Sequence, residues 1–303
     1  MVTFAFILGS GRCGSTLIHD VLARHPEVGF VSNVDDRIRR PAFGGRWNSA
    51  IYHRVPPTLT SKGRLRFAPS EGYRILADQV SPAVVAPFRD LVAADATPWL
   101  AERLGTFFEE QARAQASPVF LHKFTGWPRA GFVDAALPEP RFVHIVRDGR
   151  AVANSLVQMP WWDGYRGPSG WSWGPLPSRY EVEWEASDRS FPVLAGLEWK
   201  ILIDAFDRAR QAIPASRWLE IRYEDVIADP RVRIEEILTF LGIAWDDAFE
   251  RSFSRYAFGR DRADAYRREL DPRDLRALET VLGEHLVRLG YMGADHRGET
   301  VSA

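Results

Sequence analysis

A glycine-rich turn near the N-terminus carries the residues best suited to hold an anion. Segment 9–16 reads Gly-Ser-Gly-Arg-Cys-Gly-Ser-Thr, so two glycines flank four residues and a pair of hydroxyl side chains follows. An apolar run precedes it and a stretch with helical periodicity follows, which is the strand, loop and helix order of a phosphate-binding loop. Glycines let backbone N–H groups converge on an anion at a helix N-terminus. The pattern therefore predicts phosphate binding here.

The cation of this loop is an arginine in an unusual place. Ser15 occupies the position at which NTP-hydrolysing loops carry a lysine, and Arg12 stands three residues earlier. That lysine normally reaches the terminal phosphates of the nucleotide. We therefore expect a loop that holds a phosphate without splitting ATP in the usual way. A nucleotide kinase or another P-loop phosphotransferase is the rival enzyme class, and a non-catalytic nucleotide-binding protein is the rival outside enzymes.

A second anion site is predicted where another apolar run ends. Arg147 directly follows the run 142–146, and Ser155 lies eight residues later, about two turns down the next predicted helix. An arginine at a strand end is more often a surface ion-pair partner when it stands alone. A guanidinium fork beside a hydroxyl nevertheless suits a phosphate monoester. Two such sites suit a ligand with phosphates at both ends of a ribose.

Composition narrows the class of protein. The chain has 303 residues, 46% of them hydrophobic, and a net charge of −1, so it can bury a core and has no global basic field for nucleic acid or an anionic membrane. Its one cysteine, Cys13, allows no intramolecular disulfide and no cysteine-based zinc cluster, and no metal-ligand spacing is present. The first apolar stretch is short and lacks a basic leader. We expect a cytoplasmic protein without a membrane span.

Alternating strands and helices predict an α/β fold with a mainly parallel central sheet flanked by helices. Apolar runs typical of strands occupy 3–8, 28–32, 119–122, 142–146 and 218–222. Helical periodicity occupies 15–25, 99–114, 148–158, 196–213, 231–241 and 272–289. We predict one domain over 1–303, with irregular insertions at about 33–70 and 159–192. Such insertions serve either as lids or binding loops or as surface loops whose aromatics cap the core.

Taken in order along the chain, these motifs resemble those of the sulfotransferases that use 3′-phosphoadenosine 5′-phosphosulfate (PAPS). The segment 11–17, followed by His-Pro-Glu-Val at 25–28, is similar to that family's 5′-phosphosulfate loop, and 147–155 to its 3′-phosphate site. Two further matches are Arg-Tyr-Glu-Asp at 222–225 and Tyr-Arg-Arg-Glu-Leu at 266–270. The similarity is closer to the bacterial, carbohydrate and protein-tyrosine branches than to the small-phenol branch.

The resemblance implies a P-loop-like sulfotransferase fold and a set of ligand contacts. The 5′ phosphosulfate would be held by Gly11, Arg12, Cys13, Gly14, Ser15 and Thr16. The 3′ phosphate would be held by Arg147 and Ser155, completed by Arg267 or Arg268, and Tyr223 would contact adenine. It implies in-line transfer of a sulfuryl group to a hydroxyl, less often an amine, of a small-molecule or carbohydrate acceptor. The product is adenosine 3′,5′-bisphosphate (PAP), and no metal is required.

Arg12 and a general base are the catalytic residues that the resemblance implies. Arginine stays charged and forks onto two oxygens, so Arg12 is assigned to electrostatic stabilisation of the bridging oxygen rather than to acid catalysis. The base is where this chain departs from the family, since Lys123 is followed by Phe-Thr without the small-phenol branch's histidine. Asp35, Asp36 and His122 are the candidates that the sequence offers. Each also has a structural reading, the aspartates as a solvated pair and His122 as a core residue.

Overall fold

A five-stranded parallel sheet forms the centre of the fold. The structure is a computed structural model that describes residues 2–40, 45–56, 59, 67–259 and 262–293. The strands are β1 (Thr3–Gly9), β2 (Val28–Phe30), β3 (Val119–Thr125), β4 (Arg141–Val146) and β5 (Trp218–Arg222). Their order is β2-β3-β1-β4-β5 and all four pairings are parallel. The predicted parallel α/β sheet is confirmed, including every predicted strand.

The described contacts divide the chain into two compact units. The first comprises Met1–Val146 and Phe206–Phe258 and contains the whole sheet, and the second comprises Arg147–Ala205 and Gly259–Ala303. The expectation of a single domain over 1–303 stays a prediction.

Helices of the first unit precede, connect and follow the strands. They are α1 (Ser15–Leu22), α2 (Asn33–Ile38), α3 (Arg46–Arg54), α4 (Tyr73–Gln79), α5 (Pro82–Val85), α6 (Pro98–Gln115), α7 (Ala130–Ala136), and, after β5, α11 (Tyr223–Ala228), α12 (Pro230–Leu241) and α13 (Asp247–Phe253). The end of α10 (Phe191–Ala212) also belongs to this unit.

Helices of the second unit carry or directly follow the predicted 3′-phosphate residues. They are α8 (Gly149–Val157), α9 (Ser178–Ala186), α10 up to Ala205, α14 (Tyr266–Glu269) and α15 (Pro272–Arg288).

Local chemistry explains where the predicted helices begin and end. Asp229 caps α12 by accepting the backbone N–H of Val232, Pro230 takes the first position, and Gly242 ends the helix in the left-handed conformation. This is the order of signals expected for a helix, since proline needs no N–H partner at that position and glycine adopts positive φ without strain. All six helices predicted from periodicity are present.

The two predicted insertions are more regular than expected. The segment 33–70 contains α2 and α3, and 159–192 contains α9 and a short 3₁₀ turn at Gly164–Arg166. These three helices have six to nine residues and are mostly polar, so no clear apolar period emerges in them. Residues 41–44, 57–58 and 60–66 of the first insertion lie outside the described residues.

A hydrophobic cluster packs between one face of the sheet and the helices that follow β1 and β5. It includes Ala5 and Ile7 of β1, Ile18 and Val21 of α1, and Ile234 of α12, all buried. Burial of these aliphatic side chains fixes the start of α1 at the carboxyl end of β1, where the glycine-rich loop lies. No helix among the described residues is long and apolar enough to cross a membrane.

Candidate active site

The glycine-rich loop turns sharply between β1 and α1. Gly11, Arg12 and Gly14 have positive φ values of 80°, 52° and 90°. Glycine adopts this conformation freely, whereas a non-glycine residue such as Arg12 is held there at a cost, as often happens at functional sites. Gly14 caps α1 and has no side chain, so the first N–H groups of the helix can face an anion. Arg12 is exposed at the tip of this turn.

Close packing beneath the loop fixes this shape. A Cβ at Gly9 would overlap Cys13 Sγ, and a Cβ at Gly14 would overlap the ring of Tyr223. Cys13 is fully buried in the hydrophobic cluster, so of this residue only the backbone can reach a ligand. Ser15 is buried at the first position of α1, and Thr16 is exposed. The structure therefore brings Tyr223, the first residue after β5, to the predicted phosphate loop.

A lysine from the neighbouring strand reaches the loop from the side. Lys123 in β3 pairs in register with Ile7 of β1, and its Nζ donates to Thr16 Oγ1 at 2.7 Å. The same Nζ lies 2.9 Å from Glu71 Oε1. The Lys123 side chain is 5% exposed and that of Glu71 22%. A buried cation, an exposed hydroxyl and a partly exposed carboxylate thus meet beside the loop.

Lys123 and Glu71 are the residues that sequence reasoning missed. Lysine occurs only at 62, 123 and 200, so its placement in a strand next to β1 was a usable signal. Glu71 gave no such signal, because it lies between an aperiodic stretch and α4.

The two predicted aspartates are occupied by backbone and side-chain donors. Asp35 is fully buried and accepts from Ser32 N, Ser32 Oγ and Asn48 Nδ2 at 2.6–3.0 Å, which closes the capping box of α2. Asp36 Oδ1 accepts the backbone N–H groups of Arg74 and Ile75 at 2.8 and 3.1 Å, in the first turn of α4. Both carboxylates hold helix ends in place, and a catalytic role for either stays a prediction.

The third candidate, His122, faces the other side of the sheet from Lys123. Consecutive residues of a strand point to opposite faces. The imidazole packs against Phe108 and Phe124, with ring centroids 5.2 and 4.8 Å apart, and it is fully buried. Burial lowers the pKa of His122 to about 3. The structure therefore does not bring His122 to the loop, and it keeps this imidazole neutral.

A carboxyl one turn beyond Thr16 is poorly solvated. Burial raises the pKa of Asp20 to about 6, although Lys123 and Arg24 oppose that rise. Arg24 is itself buried, with its guanidinium carbon 3.7 Å from the centre of the Tyr52 ring. The first helix thus places a second acidic group close enough to the Lys123 ammonium to interact with it.

In the second unit, the predicted 3′-phosphate residues lie on or next to α8. Arg147 and Ser155 are each 7% exposed, and Arg147 Nη2 donates to the carbonyl of Arg262 at 2.6 Å. Asp148 caps α8, and Arg150 binds Asp148 and Glu279 at 2.7 Å each. Arg147 is therefore held next to a helix N-terminus, in a position suited to a phosphate.

Helix α14 brings the C-terminal arginine pair to α8. Glu269 of α14 accepts from Asn154 of α8 at 2.7 Å, and the hydroxyl of Tyr266 donates to Asp148 at 3.4 Å. Arg267 and Arg268 are both exposed on this short helix. The structure thus groups the pair with Arg147 and Ser155 in one unit.

The aromatic segment after α8 is anchored on a buried carboxyl. Trp162 Nε1 donates to Glu198 Oε2 at 2.9 Å, and Glu198 is 1% exposed. Burial raises the pKa of Glu198 to about 8, although the indole hydrogen bond opposes the rise. Trp161 and Tyr165, in contrast, are 61% and 60% exposed. The segment therefore presents flat aromatic surfaces on a fixed base.

Fold and loop together define an α/β protein of the phosphate-loop class. The chain matches the model of the sulfotransferase family over residues 5–247. It therefore belongs to the sulfotransferase family and is an enzyme of that family. No curated protein matches the chain in sequence. Among the described residues, no group of three or more histidine, cysteine, aspartate or glutamate side chains is placed to hold a metal ion.

Solved structures share the fold. The sulfotransferase STF9 from Mycobacterium avium has a TM-score of 0.54 at 17% identity, covering 95% of this chain and 76% of that one. The sulfotransferase domain from the curacin biosynthetic pathway has a TM-score of 0.52 at 13% identity, covering 96% of this chain and 99% of that one. The sulfotransferase domain of the Synechococcus PCC 7002 olefin synthase gives 0.50 at 19% identity, covering 92% and 94%. These likenesses confirm the predicted P-loop-like sulfotransferase fold.

Substitution of Gly14 tests whether the loop shape is needed. The change Gly14→Ala adds a methyl group at positive φ against the Tyr223 ring, so we expect a loss of about 1–3 kcal/mol in unfolding free energy and weaker binding of PAP. Gly283→Ala is the matched control, since Gly283 lies in α15 with no atom within 4 Å of its added Cβ. The unfolding free energy of this control should stay unchanged or rise by up to about 1 kcal/mol. Equal effects in urea titrations would contradict the strained-loop interpretation.

The raised pKa of Asp20 predicts how the stability of the protein depends on pH. Its folded pKa of about 6 exceeds the ordinary 3.8, so wild-type stability falls as pH rises from about 4 to about 6 and stays lowered above that. Asp20→Asn removes this titration. The unfolding free energy of the variant should therefore exceed that of wild type by an amount that grows between pH 4 and pH 6, to at most about 3 kcal/mol. Thermal unfolding between pH 4 and 8 measures it. Asp264→Asn, at a 70% exposed side chain, should show no such trend.

Proposed function

We propose that this enzyme transfers a sulfuryl group in line from PAPS to a hydroxyl, or less often an amine, of a small-molecule or carbohydrate acceptor. The observation that carries the proposal is the left-handed loop at the start of α1, with Lys123 beside it in place of a lysine within the loop. Membership of the sulfotransferase family supports the reaction class. PAPS is proposed as donor because the segments 11–17 and 147–155 resemble, in family order, the two phosphate-binding motifs of the PAPS-dependent sulfotransferases.

In this proposal the loop holds the 5′ phosphosulfate mainly through its backbone. Gly11, Cys13 and Gly14 contribute N–H groups, and Ser15 and Thr16 add the N-terminus of α1. Arg12 and Lys123 are the two cations that balance charge growing on the bridging oxygen as the S–O bond breaks. A terminal sulfuryl group carries less negative charge than a terminal phosphoryl group, so backbone donors and two cations suffice without a metal.

The remaining donor contacts follow the sequence assignments. Arg147 and Ser155 bind the 3′ phosphate, with Arg267 or Arg268 as an additional cation, and the phenol ring of Tyr223 contacts adenine. The acceptor is assigned to the two insertions, where Trp161 and Tyr165 offer exposed rings for stacking on a sugar or a flat apolar molecule. Magnesium dependence separates this reaction from the rival kinase activity, which requires the metal.

Arg12 is the first residue to test. Arg12→Ala should lower the kcat of PAPS-dependent sulfation by about 100- to 1000-fold, because it removes one fixed charge from the leaving oxygen. Arg113→Ala, at a 74% exposed arginine of α6, should leave kcat unchanged. Mass spectrometry of the sulfated acceptor gives both rates. A wild-type rate in Arg12→Ala would contradict the assignment of Arg12.

Arg147 is tested by removing a phosphate from the ligand. Arg147→Ala should weaken PAP binding about 30-fold, or about 2 kcal/mol, and leave the binding of AMP unchanged, since AMP lacks the 3′ phosphate. Arg189→Ala, at a 66% exposed arginine of the same unit, should change neither. Isothermal titration calorimetry measures both ligands. An equal loss for PAP and AMP would place Arg147 away from the 3′ phosphate.

A further inference from the structure

We propose that Glu71 is the general base that takes the proton from the acceptor hydroxyl, a role that rests on the proposed function. The structure joins this carboxylate to the loop through Lys123 and then Thr16. The two links measure 2.9 Å and 2.7 Å, so Glu71 is one side chain away from the proposed sulfuryl site.

The backbone around Glu71 is fixed against the end of β2. Ser32 forms an isolated antiparallel bridge with Pro69, and Ser70 N donates to Val31 O at 2.8 Å. Gly72 follows in the left-handed conformation with φ 62°, and its N–H donates to Ser70 Oγ at 3.1 Å. The chain thus turns directly after Glu71 into α4, which Asp36 caps. These bonds hold the carboxylate at the carboxyl end of the sheet, where ligands of parallel α/β folds bind.

The other candidate carboxylates are less suited to this role. Asp35 is fully buried with three donors on it, and Asp36 binds two backbone N–H groups. Asp20 lies on the helix behind Thr16 and is poorly solvated. Glu71 combines partial exposure with a direct contact to the loop cation, so an acceptor hydroxyl can approach it from solvent.

The donor, the acceptor and Glu71 account for every bond and proton of the transfer. The acceptor oxygen forms a bond to sulfur, the bond from sulfur to the bridging oxygen breaks, and that electron pair leaves on the 5′ phosphate of PAP. The acceptor proton passes to Glu71. Oε1 faces Lys123 and Oε2 accepts from Tyr73, and each carboxylate oxygen has a further lone pair for the substrate hydroxyl.

The ion pair with Lys123 couples the two halves of this step. While Glu71 is ionised, its charge partly neutralises that of Lys123 across 2.9 Å. When Glu71 takes the proton, the Lys123 charge is no longer opposed, at the moment when negative charge grows on the bridging oxygen. Proton removal and leaving-group stabilisation thus reinforce each other.

The test varies the acidity of the acceptor. Analogues of an acceptor that wild type sulfates are prepared, namely phenols of graded hydroxyl pKa and one alcohol. The kcat of Glu71→Gln is compared with that of wild type on each analogue, with PAPS as donor. A base matters most for a weakly acidic hydroxyl, so kcat should fall about 100- to 10,000-fold for the alcohol and little for a phenol that is already ionised. Glu71→Asp should recover part of the alcohol rate. Glu109→Gln, at a 53% exposed side chain, should match wild type.

Binding of PAP separates a base from a positioning residue. The Glu71→Gln variant should bind PAP as wild type does, by calorimetry, and keep its melting temperature within a few degrees. A loss of kcat that is equal across all acceptors, a loss of PAP binding, or no loss for the alcohol would each overturn the assignment. If wild type sulfates no acceptor from PAPS, the proposed function itself is wrong. The wild-type enzyme alone shows that outcome, so it is distinguishable from a failure of the Glu71 assignment.

Discussion

The close approach of backbone and side chains beneath the glycine-rich loop is the constraint on which the rest of the site depends. Gly9 lies against Cys13 and Gly14 lies against Tyr223, with no room for a Cβ at either position. Because the cluster around Cys13 is buried, the loop cannot relax away from this shape without opening the core. This packing therefore fixes the first turn of α1 and the positive-φ residue Arg12 in the shape that the proposed anion site requires.

The sheet supplies the second element of the site by register alone. Lys123 pairs with Ile7, two residues before the loop begins, so its side chain reaches Thr16 from the adjacent strand. A cation therefore lies beside the loop although Ser15 stands where NTP-hydrolysing loops carry a lysine. The same strand turns His122 toward Phe108 on the other face. Two neighbouring residues of β3 thus differ in role, because Lys123 reaches the loop and His122 is a neutral imidazole in the core.

The sequence was sufficient for the parts of this fold that rest on long periodic runs. The five strands and the six helices predicted from periodicity are each buried on a face or on both, so their apolar spacing could be read directly. The glycines of the loop could be predicted because a backbone in the left-handed conformation strongly favours glycine. Short helices such as Asn33–Ile38 could not, since a cap and a buried hydrogen bond from Asn48 stabilise them rather than a periodic apolar face. Glu71 was equally hidden, because its contact with Lys123 joins residues far apart in the chain.

The most direct measurement follows a label from donor to acceptor. Purified enzyme is incubated with sulfur-labelled PAPS, phosphorus-labelled ATP and an acceptor panel of sugars, phenols, lipids and alcohols, with and without a magnesium chelator. The structure and family membership predict sulfur label on an acceptor, with PAP formed in equal amount, both with and without the chelator. Phosphorus label on the acceptor that disappears with the chelator, and no PAP formed, would contradict sulfuryl transfer and support the kinase alternative.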